Sequence, residues 1–218
     1  MKIGITGQDG FIGYHLSQTI KYKFEEYTIV PFEREILGNS KLLESFVSSC
    51  DVIVHLAGVN RASSNEEVYN SNIQINVALK EALINSSFKG HLIFASSFQE
   101  DSSSLYGKAK KESRVFLEQT ISKLKGKFTG LIIPNVFGPF CKPNYNSFIA
   151  TFCSKILIDQ NPEIIQDSKV PLIYVGNLVG QIVKNIQSDN QVKNNNIPCD
   201  IEIRVSEVLR LLNYFKDS

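Results

Sequence analysis

The chain has few of the residues from which metal or disulfide frameworks are built. Its 218 residues include four cysteines and three histidines. Cys50, Cys141, Cys153 and Cys199 form neither a CxxC clip nor a dense pairing pattern, so reduced thiols are expected. His15, His55 and His91 lie far apart beside apolar segments, which points to packed or surface histidines and to no metal site. An excess of one charge is also missing, with 23 Lys and Arg against 22 Asp and Glu. No basic stripe with interleaved aromatics is present, so no nucleic-acid partner is expected. No apolar run is long enough to span a bilayer, and Met1 leads into a short apolar segment without a charged leader. The expectation is no membrane partner, no signal peptide and a cytoplasmic location. What remains is ordinary enzyme composition, 43% hydrophobic, in a chain long enough for one core or for a core plus a small lobe.

Strand and helix signals alternate. Residues 2–6, 27–32, 51–56, 91–95 and 129–134 read as strands, several of them continuous apolar runs. Phe11, Ile12, Leu16 and Ile20 recur at helical spacing after the first strand. Ser40 is placed to cap a short helix through Leu42, Leu43, Phe46 and Val47. Residues 66–84 and 106–124 read as longer helices. This pattern predicts an α/β fold, a doubly wound parallel sheet of the Rossmann type covered on both faces. Beyond Asn135 the texture changes. Asn146 or Ser147 opens a helix through Phe148, Ile149, Phe152 and Ile156. A strand at 172–175 leads into a helix from Asn177, the Asn-rich stretch 187–198 reads as an exposed loop, and a last helix covers 205–215. With no repeat and no linker, residues 1–218 are expected to form one domain. About 1–135 would be a nucleotide-binding core and about 136–218 a small C-terminal substrate-binding lobe.

Gly7, Gly10 and Gly13 follow the first strand and open a helix. That context suits a dinucleotide: the strand must turn tightly, the backbone must approach a pyrophosphate, and the helix must pack close to the sheet. The helix N-terminus then offers N–H groups and partial positive charge to the phosphates. An ordinary strand-to-helix turn is the competing reading. Glu33 and Arg34 end the second strand. An acid there suits the ribose 2′-OH of NAD and an arginine suits the 2′-phosphate of NADP. The pair leaves both open, along with a solvated pair that touches no cofactor.

Tyr106 and Lys110 stand at i and i+4, on one helix face. An ammonium beside the phenol is expected to lower the tyrosine pKa. The tyrosine would exchange a proton with a substrate oxygen while hydride moves to or from a nicotinamide. Ser97, at the tip of the fourth strand, would hold the same oxygen, with Ser96 as the neighbouring alternative.

With these residues in place, the chain resembles the extended short-chain dehydrogenase/reductases that act on nucleotide sugars. Thr6 to Gly13, His55 to Gly58, Ser96–Ser97, Tyr106 to Lys110 and Pro134 to Pro139 look like that family's landmarks. The resemblance implies cofactor contacts from Thr6, Gly7, Gly10, Phe11, Ile12, Gly13, Leu56, Ala57, Gly58 and Lys110. It also implies substrate contacts from Asn76, Ser97, Asn135, Asn144, Asn146 and Ser147. Residues 55–61 and 141–152 are similar to the reductase domain of capsular polysaccharide enzymes. Those enzymes reduce the 4-keto group of a UDP-2-acetamido-2,6-dideoxy-hexos-4-ulose on the way to UDP-N-acetyl-L-fucosamine. An arginine sits there where Arg34 sits here, so the resemblance implies NADPH, with NAD(H) as the other option. Relatives pair through a four-helix interface, for which helices 66–84 and 106–124 would serve, implying a homodimer. The chain departs from the pattern in three places. The capsule enzymes continue into a metal-binding cupin domain that handles epimerisation, and this chain stops about where that domain would begin, so only the reduction is expected to carry over. Ile132 stands where relatives often have arginine, and Asn177 replaces a usual aspartate.

The expected function is reduction of a 4-keto UDP-sugar for surface polysaccharide synthesis. A nucleotide-sugar 4-epimerase with retained NAD would use the same triad. A 4,6-dehydratase would need an acid and a base directly after Ser97, where Phe98 and Gln99 stand. A non-catalytic NADP-binding protein, or a truncated one, is the remaining alternative.

Overall fold

The computed structural model describes residues 1–145 and 147–218. The chain forms two compact units. One comprises Met1–Ile133 and Val179–Asn196, the other Pro134–Leu178 and Ile197–Ser218.

The first unit is built on a six-stranded, wholly parallel sheet. Its strands are β1 (Lys2–Thr6), β2 (Thr28–Val30), β3 (Val52–His55), β4 (His91–Ser97), β5 (Lys127–Ile133) and β8 (Val192–Asn196), in the spatial order β2-β1-β3-β4-β5-β8. The chain steps outward from β1 to β2, then returns past β1 to β3. Right-handed crossovers therefore put α1 (Phe11–Lys23) on one face and α2 (Ser40–Ser48), α3 (Asn65–Asn85) and α4 (Leu105–Lys123) on the other. The core agrees, since Leu43, Phe46, Leu79, Leu83, Leu117 and Ile121 of α2, α3 and α4 pack on Ile53, Leu92, Phe94 and Phe128 of the strands. The doubly wound parallel sheet expected from the sequence is present.

Local chemistry sets the helix starts. Asn39, one residue before the expected Ser40, caps α2 by accepting from Leu42 N at 3.2 Å. Ser64 caps α3 and Ser104 caps α4. The Tyr69 hydroxyl donates to Glu112 at 2.5 Å, tying α3 to α4.

The exposed loop expected over 187–198 is corrected by the structure, because β8 lies within it as the outer strand of the sheet. Its Asn-rich sequence carries no apolar alternation, and polar partners hold it in place of apolar burial. Lys193 pairs with Glu118 at 2.8 Å, Asn194 accepts from Arg114, and Asn195 donates to Asn185 at 2.9 Å. Residues 179–196, which the sequence groups with the lobe, thus pack in the first unit.

The second unit carries a three-stranded sheet of β6 (Asn135–Phe137), β7 (Lys169–Tyr174) and β9 (Ile201–Arg204), with β7 central, parallel to β6 and antiparallel to β9. Its helices are α5 (Phe148–Leu157) and α7 (Val205–Asp217), and the unit division falls within α6 (Val175–Gln187). Among the described residues no helix is long and apolar enough to cross a membrane.

Two core histidines make the fold acid-sensitive. Burial, helped by the nearby Lys110, pushes His55 down to about 3, and burial with Lys127 close by does the same to His91. Both stay neutral in the native state while the unfolded chain takes up protons below about 6.5. The unfolded state binds more protons between those values, so stability falls as pH drops, by up to about 1.4 kcal/mol per pH unit for each histidine. We expect the urea midpoint to fall from pH 7.5 to pH 5, and to fall less in His91→Gln. Equal losses in the two proteins would place the acid sensitivity elsewhere.

Candidate active site

The site begins where β1 ends. Parallel pairing sets Thr6 opposite His55. The Thr6 hydroxyl hydrogen-bonds His55 Nδ1 at 2.6 Å and accepts from Ala57 N at 3.2 Å, while Leu56 N donates to Thr6 O. The turn after β1 is therefore held against the segment Leu56, Ala57 and Gly58. Gly7 has φ +74°, a conformation glycine adopts without strain. A Cβ on Gly13 would lie 2.1 Å from Gly7 O, so only glycine lets the helix approach the turn this closely. Gly10 is the N-cap of α1 and supplies no side-chain cap, leaving first-turn N–H groups for another acceptor. Phe11 and Ile12 occupy that first turn, half-buried. A glycine cradle at a helix N-terminus, at the point where the strand order reverses, fits a dinucleotide pyrophosphate. Arg34 opens a 3₁₀ turn over Arg34–Gly38 and is exposed.

Ser97 ends β4, and Tyr106 and Lys110 occupy the first turns of α4, all within the first unit. The Ser97 hydroxyl accepts from Gln99 N at 3.2 Å. Lys110 is buried. Its ammonium donates to Ala95 O at 3.0 Å and sits 5.9 Å from the centre of the Tyr106 ring. Gly58 lies beside it, as a Cβ there would stand 3.3 Å from Lys110 Nζ. The expected lowering of the tyrosine pKa is corrected by this geometry. Desolvation pushes the Tyr106 phenol up to about 12, and the lysine does not offset it. Desolvation also brings Lys110 down to about 8, against the opposing pull of Glu100. Burial thus disfavours both the phenolate of Tyr106 and the ammonium of Lys110.

Asn76 serves the interior. Its side chain is 0% exposed, its amide donates to Asn72 O at 2.7 Å, and it faces His55. The resemblance implies a substrate contact for Asn76, and in this structure its side chain is buried. Asn72, which sequence reasoning passed over, holds the loop after Gly58 by accepting from Val59 N and donating to Val59 O. Glu100 and Arg114 were also missed. They form a buried ion pair at 2.7 Å directly behind Ser96. Their partnership joins residues far apart in sequence, and neither belongs to a motif.

The remaining expected residues lie in the second unit. The Asn135 amide donates to Pro171 O at 3.3 Å, Asn144 N donates to the Thr151 hydroxyl at 2.9 Å, and Ser147 caps α5. Asn146 is outside the described residues. Among the described residues no group of three or more His, Cys, Asp or Glu is arranged to hold a metal ion.

The Gly13 contact gives a direct test. Gly13→Ala should lose dinucleotide binding, read as NADPH fluorescence on titration, with the helical circular dichroism unchanged. Wild-type affinity in that variant would remove the turn from the cofactor site.

Residues 3–199 match the NAD dependent epimerase/dehydratase family. A UDP-2-acetamido-2,6-beta-L-arabino-hexul-4-ose reductase from Pseudomonas aeruginosa is 32% identical over all of this chain, which covers 58% of that protein. The capsular polysaccharide assembling protein CapF from Staphylococcus aureus superposes with a TM-score of 0.81 at 28% identity, covering 100% of this chain and 58% of that one. The chain thus spans under two thirds of the length of both. A UDP-glucose 4-epimerase from Thermotoga maritima, solved with UDP-glucose, shares the fold with a TM-score of 0.84 at 21% identity, covering 100% of this chain and 83% of that one. With the glycine turn, the parallel sheet and Tyr106–Lys110 all in one unit, the chain belongs to the NAD dependent epimerase/dehydratase family.

Proposed function

We propose that this protein reduces the 4-keto group of a UDP-linked 2-acetamido-2,6-dideoxy-hexos-4-ulose with NADPH, in surface polysaccharide synthesis. The observation that carries the reading is the placement of Tyr106 one helical turn before the buried Lys110, whose ammonium sits 5.9 Å from the ring centre, in the unit that also holds Ser97 and the glycine turn. The name of the 32% identical relative supports the choice of substrate. Gly7, Gly10 and Gly13 would hold the pyrophosphate, Arg34 the 2′-phosphate and Lys110 the nicotinamide ribose. The cofactor supplies hydride to C4.

The protein's own groups do the rest. Ser97 donates a hydrogen bond to the 4-keto oxygen and fixes its position. Tyr106 donates a second and passes its proton to that oxygen as negative charge develops there. Lys110, close to the ring, stabilises the phenolate that remains. Asn135, Asn144, Asn146 and Ser147 are assigned to the sugar nucleotide. Dehydration is disfavoured because Glu100, the nearest carboxylate after Ser97, is engaged by Arg114 and is not available as a base. A homodimer through α3 and α4 belongs to the same proposal. Val77, Ile84 and Val115 are exposed on those helices.

NADPH oxidation with 4-keto UDP-sugars, with NADH as comparator, tests the reading. Net oxidation supports it, whereas C4 interconversion without net oxidation would make the protein an epimerase. Binding without turnover would make it a non-catalytic member. Tyr106→Phe should keep NADPH affinity within about twofold and lower turnover by about two orders of magnitude or more. Arg34→Ala should weaken NADPH binding by roughly tenfold, the value of a charge-assisted hydrogen bond, and leave NADH binding unchanged. Equal effects on both cofactors would exclude Arg34 from 2′-phosphate recognition.

A further inference from the structure

Between Ser97 and Tyr106 the chain makes a short 3₁₀ turn, Phe98–Asp101, whose Glu100 points inward. The Glu100 carboxylate is 5% exposed and the Arg114 side chain 8%. Arg114 Nε donates to one carboxylate oxygen at 2.8 Å and Nη2 to the other at 2.7 Å, a two-pronged contact that fixes angle as well as distance. The Ser96 hydroxyl also donates to Glu100, and Arg114 Nη1 donates to Asn194 of β8. Arg114 lies one helical turn beyond Lys110, which lies one turn beyond Tyr106, so all three share a face of α4. The same 3₁₀ turn rests on the start of the helix. A Cβ on Gly107 would lie 1.9 Å from Gln99 O. The Ser97 hydroxyl is in turn oriented by Gln99 N.

We propose that the buried Glu100–Arg114 pair is a positioning clamp that locks the turn directly following Ser97 onto the helix carrying Tyr106, setting the spacing of the two hydroxyls that must reach one substrate oxygen. Stability alone does not explain the pair, since an apolar pair of similar volume is often as stable as two buried charges or more so. The planar guanidinium supplies a fixed geometry that an apolar pair lacks. Its value lies in the reaction, where a displacement of about 1 Å can cost about a hundredfold in rate. The Glu100 charge also favours the ammonium of Lys110, in keeping with a place beside the reacting groups. The clamp rests on the proposed reductase chemistry for its kinetic readout, but not for its structural one.

The test compares wild type with Arg114→Lys, Arg114→Met and the apolar double variant Glu100→Leu/Arg114→Met. The double variant leaves no unpaired buried charge and keeps the test open if the single variants do not fold. Kinetics are read with a 4-keto UDP-sugar and NADPH, and the Tyr106 signal is read by NMR of protein carrying ring-labelled tyrosine, assigned with Tyr106→Phe. We expect kcat to fall at least about tenfold in Arg114→Lys and in the double variant. KM and NADPH affinity should stay within about twofold, thermal stability of the double variant should match or exceed wild type, and the Tyr106 signal should shift. A folded double variant with wild-type kcat, or with an unmoved Tyr106 signal, overturns the clamp. If wild type itself turns over no 4-keto sugar, the reductase reading fails, and the Tyr106 signal alone decides the clamp.

Discussion

Parallel pairing of β1 with β3 is the constraint on which the rest of the first unit depends. It occurs where the chain, having stepped outward to β2, returns to the other side of β1. That return brings Thr6 level with His55 and sets the glycine turn against Ala57. The single Thr6 hydroxyl serves both the imidazole and the Ala57 amide, so the carboxyl ends of β1 and β3 are held together where the glycine turn begins. Lys110 reaches the same place from α4, by way of Ala95 at the end of β4.

Burial has opposite electrostatic consequences along α4. It makes Tyr106 a weaker acid and Lys110 a weaker base, which keeps the phenol protonated and brings the ammonium nearer to losing its proton. Adjacency of the two residues suggested an acidic tyrosine. The desolvation cost of a phenolate outweighs an ammonium 5.9 Å from the ring. A protonated tyrosine suits the reducing direction, in which it gives up a proton.

Much of this was legible in the sequence because it is local. Glycines after an apolar strand, serine caps and a tyrosine and lysine one helical turn apart all declare themselves within a few residues. The features that were not legible are non-local or lack apolar patterning. β8 consists of Val192, Lys193 and three asparagines, and it is a strand through its pairing with β5, supported by side-chain partners on α4 and α6. β6 and β9 are too short for a period-2 pattern to stand out. Glu100 and Arg114 belong to no sequence motif, and only the fold removes both from water. A substrate contact for Asn76 is implied by resemblance alone. The burial of Asn76 follows from the face of α3 that it occupies.

The position of β8 in chain order bears on how the protein is made. The sixth strand of the first sheet is synthesised only after all of residues 134–178, which belong to the other unit. Until it emerges from the ribosome, β5 presents an open, apolar edge, and Arg114 and Glu118 lack their outer partners. Any pairing of the first five strands ahead of β8 would leave the core with one unpaired flank. That interval is when chaperones or mispairing with another chain would act. Closure of the sheet by a polar strand of lysine and asparagine ends it, leaving the finished edge a poor template for a further strand.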